Sequence, residues 1–358
     1  MDRPFAHLGP ATPLRALINL AIPICRRAEA GLPPRGPGRP PEIPERAVAV
    51  LILVAVAKRL TTKSAQYRYL HAQADALGIR LGLGRFPARS TYFARYRTAY
   101  LVLSEAVAAH AAHAAARGHV DVRCTAADKT LIAAPGPVWH ARHRARGERP
   151  RGADAAASWS RSKHDGWVYG YGAEVVVTAP RSGPVWPLLG SLDPAHRREA
   201  ATFPGKVPRL PARTRYVLVD MGYDSNDLGE AVEWDGDRRT GRRLVGPQQA
   251  RHNRYGGRKR VWRETRRRRR LRERRSERRR FHEGRFGRSL YRRRGRTVEP
   301  FFGRLKDLFG LREHAWHEGL GNNRTQWLAA LALYQILLAY NRVTGRRDAQ
   351  VKWILDLL

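Results

Sequence analysis

The sequence predicts an α/β protein: a mixed five-stranded sheet with flanking helices, preceded by an all-α N-terminal region. Three observations predict it. Up to residue 118 the apolar residues fall at helical spacing. From His119 onward come five short β-branched or alternating runs, with a helical pattern between the fourth and the fifth. Beyond residue 250 the spacing is helical again. Three strands, then strand–helix–strand, then helices is the order of a mixed sheet covered by helices. The predicted domains are 1–118, helical, and 119–358, with an Arg-rich segment at 251–296.

Each element has its own reason. "GLPPRGPGRPPEIP" at 31–44 cannot continue a helix, because proline lacks an N–H and fixes φ. It reads as a linker whose arginines lie along a phosphate backbone. "ERAVAVLILVAVAKRL", 45–60, is apolar nearly all round and predicts a buried helix. "TTKSAQYRYLHAQADALGI" opens with Thr and Ser, good N-caps. One long helix is predicted from about Ser90 to Arg117. Its opening turns show Arg89, Arg95, Arg97, Tyr92 and Tyr96, a pattern compatible with helix-turn-helix docking in a major groove. A helical bundle with solvated arginines fits the same spacing.

The predicted strands are "HVDVRCTAADKTLIAA", "WVYGYGAEVVVTA", "GPVWPLLGSL", "RYVLVD" and "RRLVGPQ". Residues 135–166 read as loop, "PRSG" as a hairpin turn, and "SNDLGEAVEW" as a helix capped by Ser225 or Asn226. Two further helices are expected, from about Ser289 to Leu311 and from Asn323 to Asn341.

Charge narrows the function. The chain carries 68 Lys and Arg against 31 Asp and Glu, a formal net charge of +37. Its natural partner is a polyanion, and duplex nucleic acid comes first because cations that release condensed counterions bind it strongly. An anionic membrane is the rival. The longest wholly apolar run, Ala47 to Ala57, is 11 residues, short of the roughly 20 a span needs. No charged leader followed by an apolar stretch is visible, and Cys25 and Cys124 form neither a metal-ligand spacing nor a disulfide framework. These features predict a cytoplasmic, nucleoid-associated bacterial protein. The excess of Arg over Lys also fits a GC-rich genome.

Residues 258–280 hold 15 Lys or Arg and three acids, so the lone Glu299 in "GRTVEPFFGRLK" needs a reason. Asp128 falls late in the first strand and Asp220 closes "YVLVD". Either aspartate alone is explained as a cap or turn former. Three ionised carboxylates held together repel unless a cation intervenes. Oxygen ligands of this kind suit Mg²⁺ or Mn²⁺ rather than Zn²⁺. Two such ions can activate an attacking oxygen and stabilise a leaving one.

These residues resemble those of the DDE transposases of bacterial insertion sequences, whose catalytic domain is ribonuclease-H-like. "AADKTLIAAPGPVWH" resembles the first-Asp strand, "VLVDMGYDSNDL" the second-Asp segment, and "VEPFFGRLKDLFGLR" the third-acid helix. The resemblance implies a metal-binding catalytic triad of Asp128, Asp220 and Glu299. It implies DNA contact by Lys306, and a phosphate-positioning cluster of Tyr291, Arg294 and Arg296. Two departures stand out. Lys129 follows the first Asp where the family has a small residue, and Tyr291 and the arginines miss the family spacing to Glu299. Which arginine takes the role stays open.

The implied function is two-metal hydrolysis at the ends of an insertion sequence, then transfer of the 3′-hydroxyl strand to target DNA. The implied partners are double-stranded DNA and a second copy of the chain in the synaptic complex. The rivals are a ribonuclease-H-like nuclease or resolvase without transposition, and a catalytically dead DNA-binding remnant. Among the other acids, Asp121 lies an odd number of residues from Asp128 and faces away. Asp224 is expected to cap the next helix, and Asp154 and Asp165 to shape a loop. Trp139, Trp159 and Trp167 read as loop anchors, with base stacking as the alternative.

Overall fold

The computed structural model describes residues 13–34, 41–162, 165–249, 265–346 and 348–358. The middle of the predicted Pro/Arg linker and the start of the Arg-rich segment lie outside the described residues.

Six helices come first: α1 (Pro13–Ala30), α2 (Glu45–Ala57), α3 (Lys63–Ala72), α4 (Ala74–Leu81), α5 (Arg89–Tyr96) and α6 (Tyr100–Ala116). In α2 all residues from Ala47 to Ala57 are buried, as an all-round apolar helix requires. The single long helix expected from Ser90 is instead α5 and α6. Between them the chain tightens: Leu101 N–H bonds to the Thr98 carbonyl, and the Thr98 hydroxyl donates to the Arg95 carbonyl. A Thr hydroxyl that competes for a helix carbonyl favours such a break. Tyr92 and Tyr96 are core residues, not a displayed face. Tyr92 donates to Gln66 Oε1 at 3.0 Å, and the Tyr96 hydroxyl lies 3.0 Å from His317 Nε2.

The second part runs β1 (Cys124–Ala133), α7 (Ala141–Ala145), β2 (Ser158–Ser162), β3 (Gly166–Thr178), β4 (Pro187–Pro194), α8 (Glu199–Thr202), β5 (Tyr216–Leu218), α9 (Asn226–Glu233), a small hairpin β6 (Trp234–Asp235) and β7 (Arg238–Arg239), then β8 (Arg243–Val245). Helices α10 (Arg266–Glu283), α11 (Arg285–Leu308), α12 (Leu320–Val343) and α13 (Lys352–Asp356) complete it. The main sheet is ordered β2-β3-β1-β5-β8, with β4 also on β3. β1 is antiparallel to β3 and parallel to β5, which is parallel to β8. This is the mixed, helix-flanked sheet of the ribonuclease-H-like fold. It has six strands, not five, because β2 lies within the expected loop and shares an edge of β3 with β4.

Strand lengths position the site. β1 pairs with β5 only through Ala126↔Leu218, yet it runs on to Ala133. Asp128 therefore sits where the β5 side of β1 has become open, and Asp220 lies just beyond the end of β5. Helix α12 packs on α6, β4, α2 and α1, so one apolar core passes from the first helices to the sheet.

Candidate active site

Asp128 emerges from β1 opposite Val175 of β3. Its Oδ1 accepts from the Lys129 N–H at 2.9 Å, and its Oδ2 pairs with Arg294 Nη2 at 2.6 Å. Burial pushes this carboxyl up to about 6; Arg294 opposes that rise and Asp220 adds to it. Asp220 caps the 3-10 turn Met221–Tyr223, and its Oδ1 accepts from the Gly222 N–H at 2.8 Å. The turn fixes this carboxylate within electrostatic reach of Asp128.

Helix α11 lies across β1, held by Val298, Phe301, Phe302 and Leu305 on its buried stripe. Arg294 points from it into the site with 11 % of its side chain exposed. Burial works against its charge, but Asp128, Tyr291 and Asp220 outweigh it and raise its pKa. Its Nη1 reaches Glu299 Oε1 at 3.8 Å. Arg294 thus faces Asp128 and Glu299 together. Tyr291 completes the cluster; burial raises its phenol pKa, with Arg294, Asp220 and Asp128 as its charged neighbours.

Glu299 is the outlier, with 67 % of its side chain exposed. Among the described residues no group of three or more His, Cys, Asp or Glu is gathered closely enough to hold a metal ion. The Arg294 guanidinium joins the first and third acids of the implied triad. The donors are all carboxylate oxygens, and a buried carboxyl raised to about 6 is one that gains from a nearby cation. In donor chemistry the set fits Mg²⁺ or Mn²⁺.

The other expected contacts divide. The Lys306 ammonium donates to the Leu131 carbonyl at 3.0 Å, and burial lowers its pKa. Arg95 is used internally: it pairs with Glu45 at 2.9 Å and donates to the Ile43 carbonyl. Arg89 is exposed, donates to Ser64 and lies over Phe93, while Arg97 and Arg296 are exposed. Asp224 does not cap α9; Ser225 does, and Asp224 grips Arg275 through both nitrogens. Trp139 and Trp159 anchor the loop by donating to the carbonyls of Glu148 and Trp139, whereas Trp167 stands 68 % exposed.

The Arg-rich helix α10 is less free than its composition suggests. Arg274 and Arg278 are buried; Arg274 pairs with Glu230 and Asp237 and stacks over Trp234 at 3.6 Å. Arg278 pairs with Glu233 at 3.7 Å.

On the far side of the sheet sequence reasoning missed Glu199. Lys129 turns away from Asp128 and pairs with Glu199 Oε1 at 2.9 Å. Its stem crosses Gly172, where an added Cβ would lie 2.7 Å from Lys129 Cδ. That explains one glycine of the Gly-Tyr-Gly motif. A Cβ added at Gly222 would lie 3.1 Å from Asp220 Oδ1 and 3.4 Å from Glu199 Oε2, so Glu199 flanks Asp220.

The fold defines a class: α/β proteins with a ribonuclease-H-like mixed sheet flanked by helices. A family model described as the transposase DDE domain matches residues 121–336, and the chain belongs to that family. No curated protein and no solved structure matches it.

Proposed function

We propose that this protein is a DNA transposase that binds insertion-sequence ends, hydrolyses the phosphodiester there and transfers the freed 3′-hydroxyl strand to target DNA. The observation that carries this reading is Arg294, which pairs with Asp128 and faces Glu299 on the stretch of β1 that β5 leaves open, with Asp220 as an electrostatic neighbour.

Asp128, Asp220 and Glu299 would hold Mg²⁺ or Mn²⁺. Bound there, such ions supply charge neutralisation at the phosphodiester and activation of the attacking oxygen. The remaining chemistry belongs to the side chains. Gly222 N–H and Lys129 N–H each hold one oxygen of the two aspartates, which limits how far either carboxylate can turn. Arg294, whose Nε–H is buried without a partner, turns from the carboxylates to the phosphate oxygens when DNA arrives. Lys306 and Tyr291 line the approach. Arg89 and Arg97 grip the end-proximal duplex as phosphate contacts, which position without reading sequence. Two ends must be cut together, so two copies act in a synaptic complex, in the bacterial cytoplasm.

The test is a strand-transfer assay in Mg²⁺ with labelled end DNA. Asp220→Asn and Glu299→Gln are expected to abolish joining while end binding persists. Joining by either variant overturns the triad, and cut products without joined ones from the wild type identify a nuclease.

A further inference from the structure

Helix α11 has a second cationic face. Arg294 turns towards the carboxylates, but Arg292, Arg293 and Arg296 line a groove of about 530 Å³ on another side of the helix. The opposite wall is the tip of the β3–β4 hairpin, where Arg181 stands between Pro180 and Gly183. Gly183 has φ +90°, a conformation that favours glycine, and it closes the turn that presents Arg181.

Four arginines in one groove repel each other unless anions intervene. On α10 the protein supplies such anions from its own chain: Arg274, Arg275 and Arg278 all pair with carboxylates. In the groove it does not. Arg293 has Asp121 as an electrostatic neighbour, but that carboxylate is already paired with Arg123 at 2.9 Å. Among the described residues Arg181, Arg292, Arg293 and Arg296 form no ion pair. The groove is open to solvent, and its lining is the guanidinium fork that suits phosphate oxygens.

We propose that this groove holds the backbone of duplex DNA flanking the bond to be cut. This rests on the transposase reading, and it adds a site separate from the carboxylates. The geometry gives the reason. Arg292 and Arg296 are four residues apart, about 6 Å along the helix axis, a step that lets them meet successive phosphates. From Arg292 to Glu299 is about 10 Å along the same helix. A strand seated in the groove is therefore held by the rigid element that carries the third acid, which fixes the distance from its phosphates to the cutting site. The hairpin tip closes on the strand from the other side.

The test is fluorescence anisotropy of the full chain with a labelled duplex of about 30 base pairs, at salt concentrations from about 50 to about 200 mM. Removing one arginine that neutralises a phosphate lowers the slope of log K against log salt by about 0.9. Arg181→Gln and Arg292→Gln should each flatten it by about 0.9, and the double variant by about 2. Glu299→Gln should keep the wild-type slope, so failure of the catalytic reading leaves this measurement unaffected. A double variant with the wild-type slope overturns the proposal. So does a flattening confined to single-stranded DNA, which would assign the groove to an unpaired strand. Heat denaturation supplies the control: because these two arginines form no ion pair, the double variant should melt no lower than wild type. A lower melting temperature would assign them a structural role and equally overturn the inference.

Discussion

Replacing Asp128 with Asn should make the metal-free protein more stable at pH 8 while destroying its chemistry. Burial lifts the Asp128 carboxyl from 3.8 to about 6, even with Arg294 in contact. The ionised form therefore costs about two pH units in the folded state, or roughly 3 kcal/mol. Two effects compete. Breaking a buried ion pair usually destabilises by leaving one charge without a partner. Asn, however, keeps the size of Asp and offers Arg294 a carbonyl oxygen, so the guanidinium retains an acceptor while the costly anion is gone. Desolvation wins on these numbers. The sign follows from linkage: the folded value lies above the unfolded one, so this group's stabilising contribution is full below about pH 3.8 and lost as pH rises through about 6. Urea denaturation in EDTA should give the Asn variant an advantage of roughly 3 kcal/mol at pH 8 that disappears near pH 4. A variant less stable than wild type at pH 8 would show that the Arg294 pair outweighs burial, and would refute this reasoning.

Two further predictions concern the fold around the site. Gly170→Ala places a Cβ 2.1 Å from the Ile132 carbonyl oxygen, which is backbone and cannot yield, so it should lower stability by about 3 kcal/mol, the top of the usual range for overpacking; Gly172→Ala meets only the flexible Lys129 stem and should cost clearly less in the same urea titration. His317 and His110 are each lowered to about 3, chiefly by burial, so their folded values lie below the unfolded one. The stability they contribute is full above about pH 6.5 and is lost as pH falls towards 3. His317→Gln should flatten the decline between about pH 6.5 and about pH 4; an unchanged slope would contradict the assignment.

Much of the fold was legible because it is written in local patterns. The all-apolar run of α2 and the alternating β-branched strands each name their element. The candidate acids were picked out by local pattern too, Asp220 closing a strand and Glu299 interrupting a basic helix, but Asp128, read as late in its strand, sits in the middle of β1. What the sequence hid depends on partners far along the chain. Arg274 and Arg278 look like free cations until Glu230, Glu233 and Asp237 are seen beside them. Arg294 is one of three successive arginines, and only the helix rotation against β1 tells which one meets Asp128. Glu199 carries no sequence signal at all; α8 packs against the 3-10 turn after β5, which brings it and Asp220 to either side of Gly222. Exposed Glu299 is the feature on which sequence and structure differ most. The resemblance groups it with the aspartates, whereas here it reaches them only through Arg294.

Calorimetric titration with Mn²⁺ tests that grouping most directly, because it reads ion binding without DNA or turnover. Wild type should bind Mn²⁺, and Asp128→Asn, Asp220→Asn and Glu299→Gln should each weaken it at least about tenfold, about 1.4 kcal/mol. A Glu299→Gln protein that binds the ion as tightly as wild type would contradict the shared site.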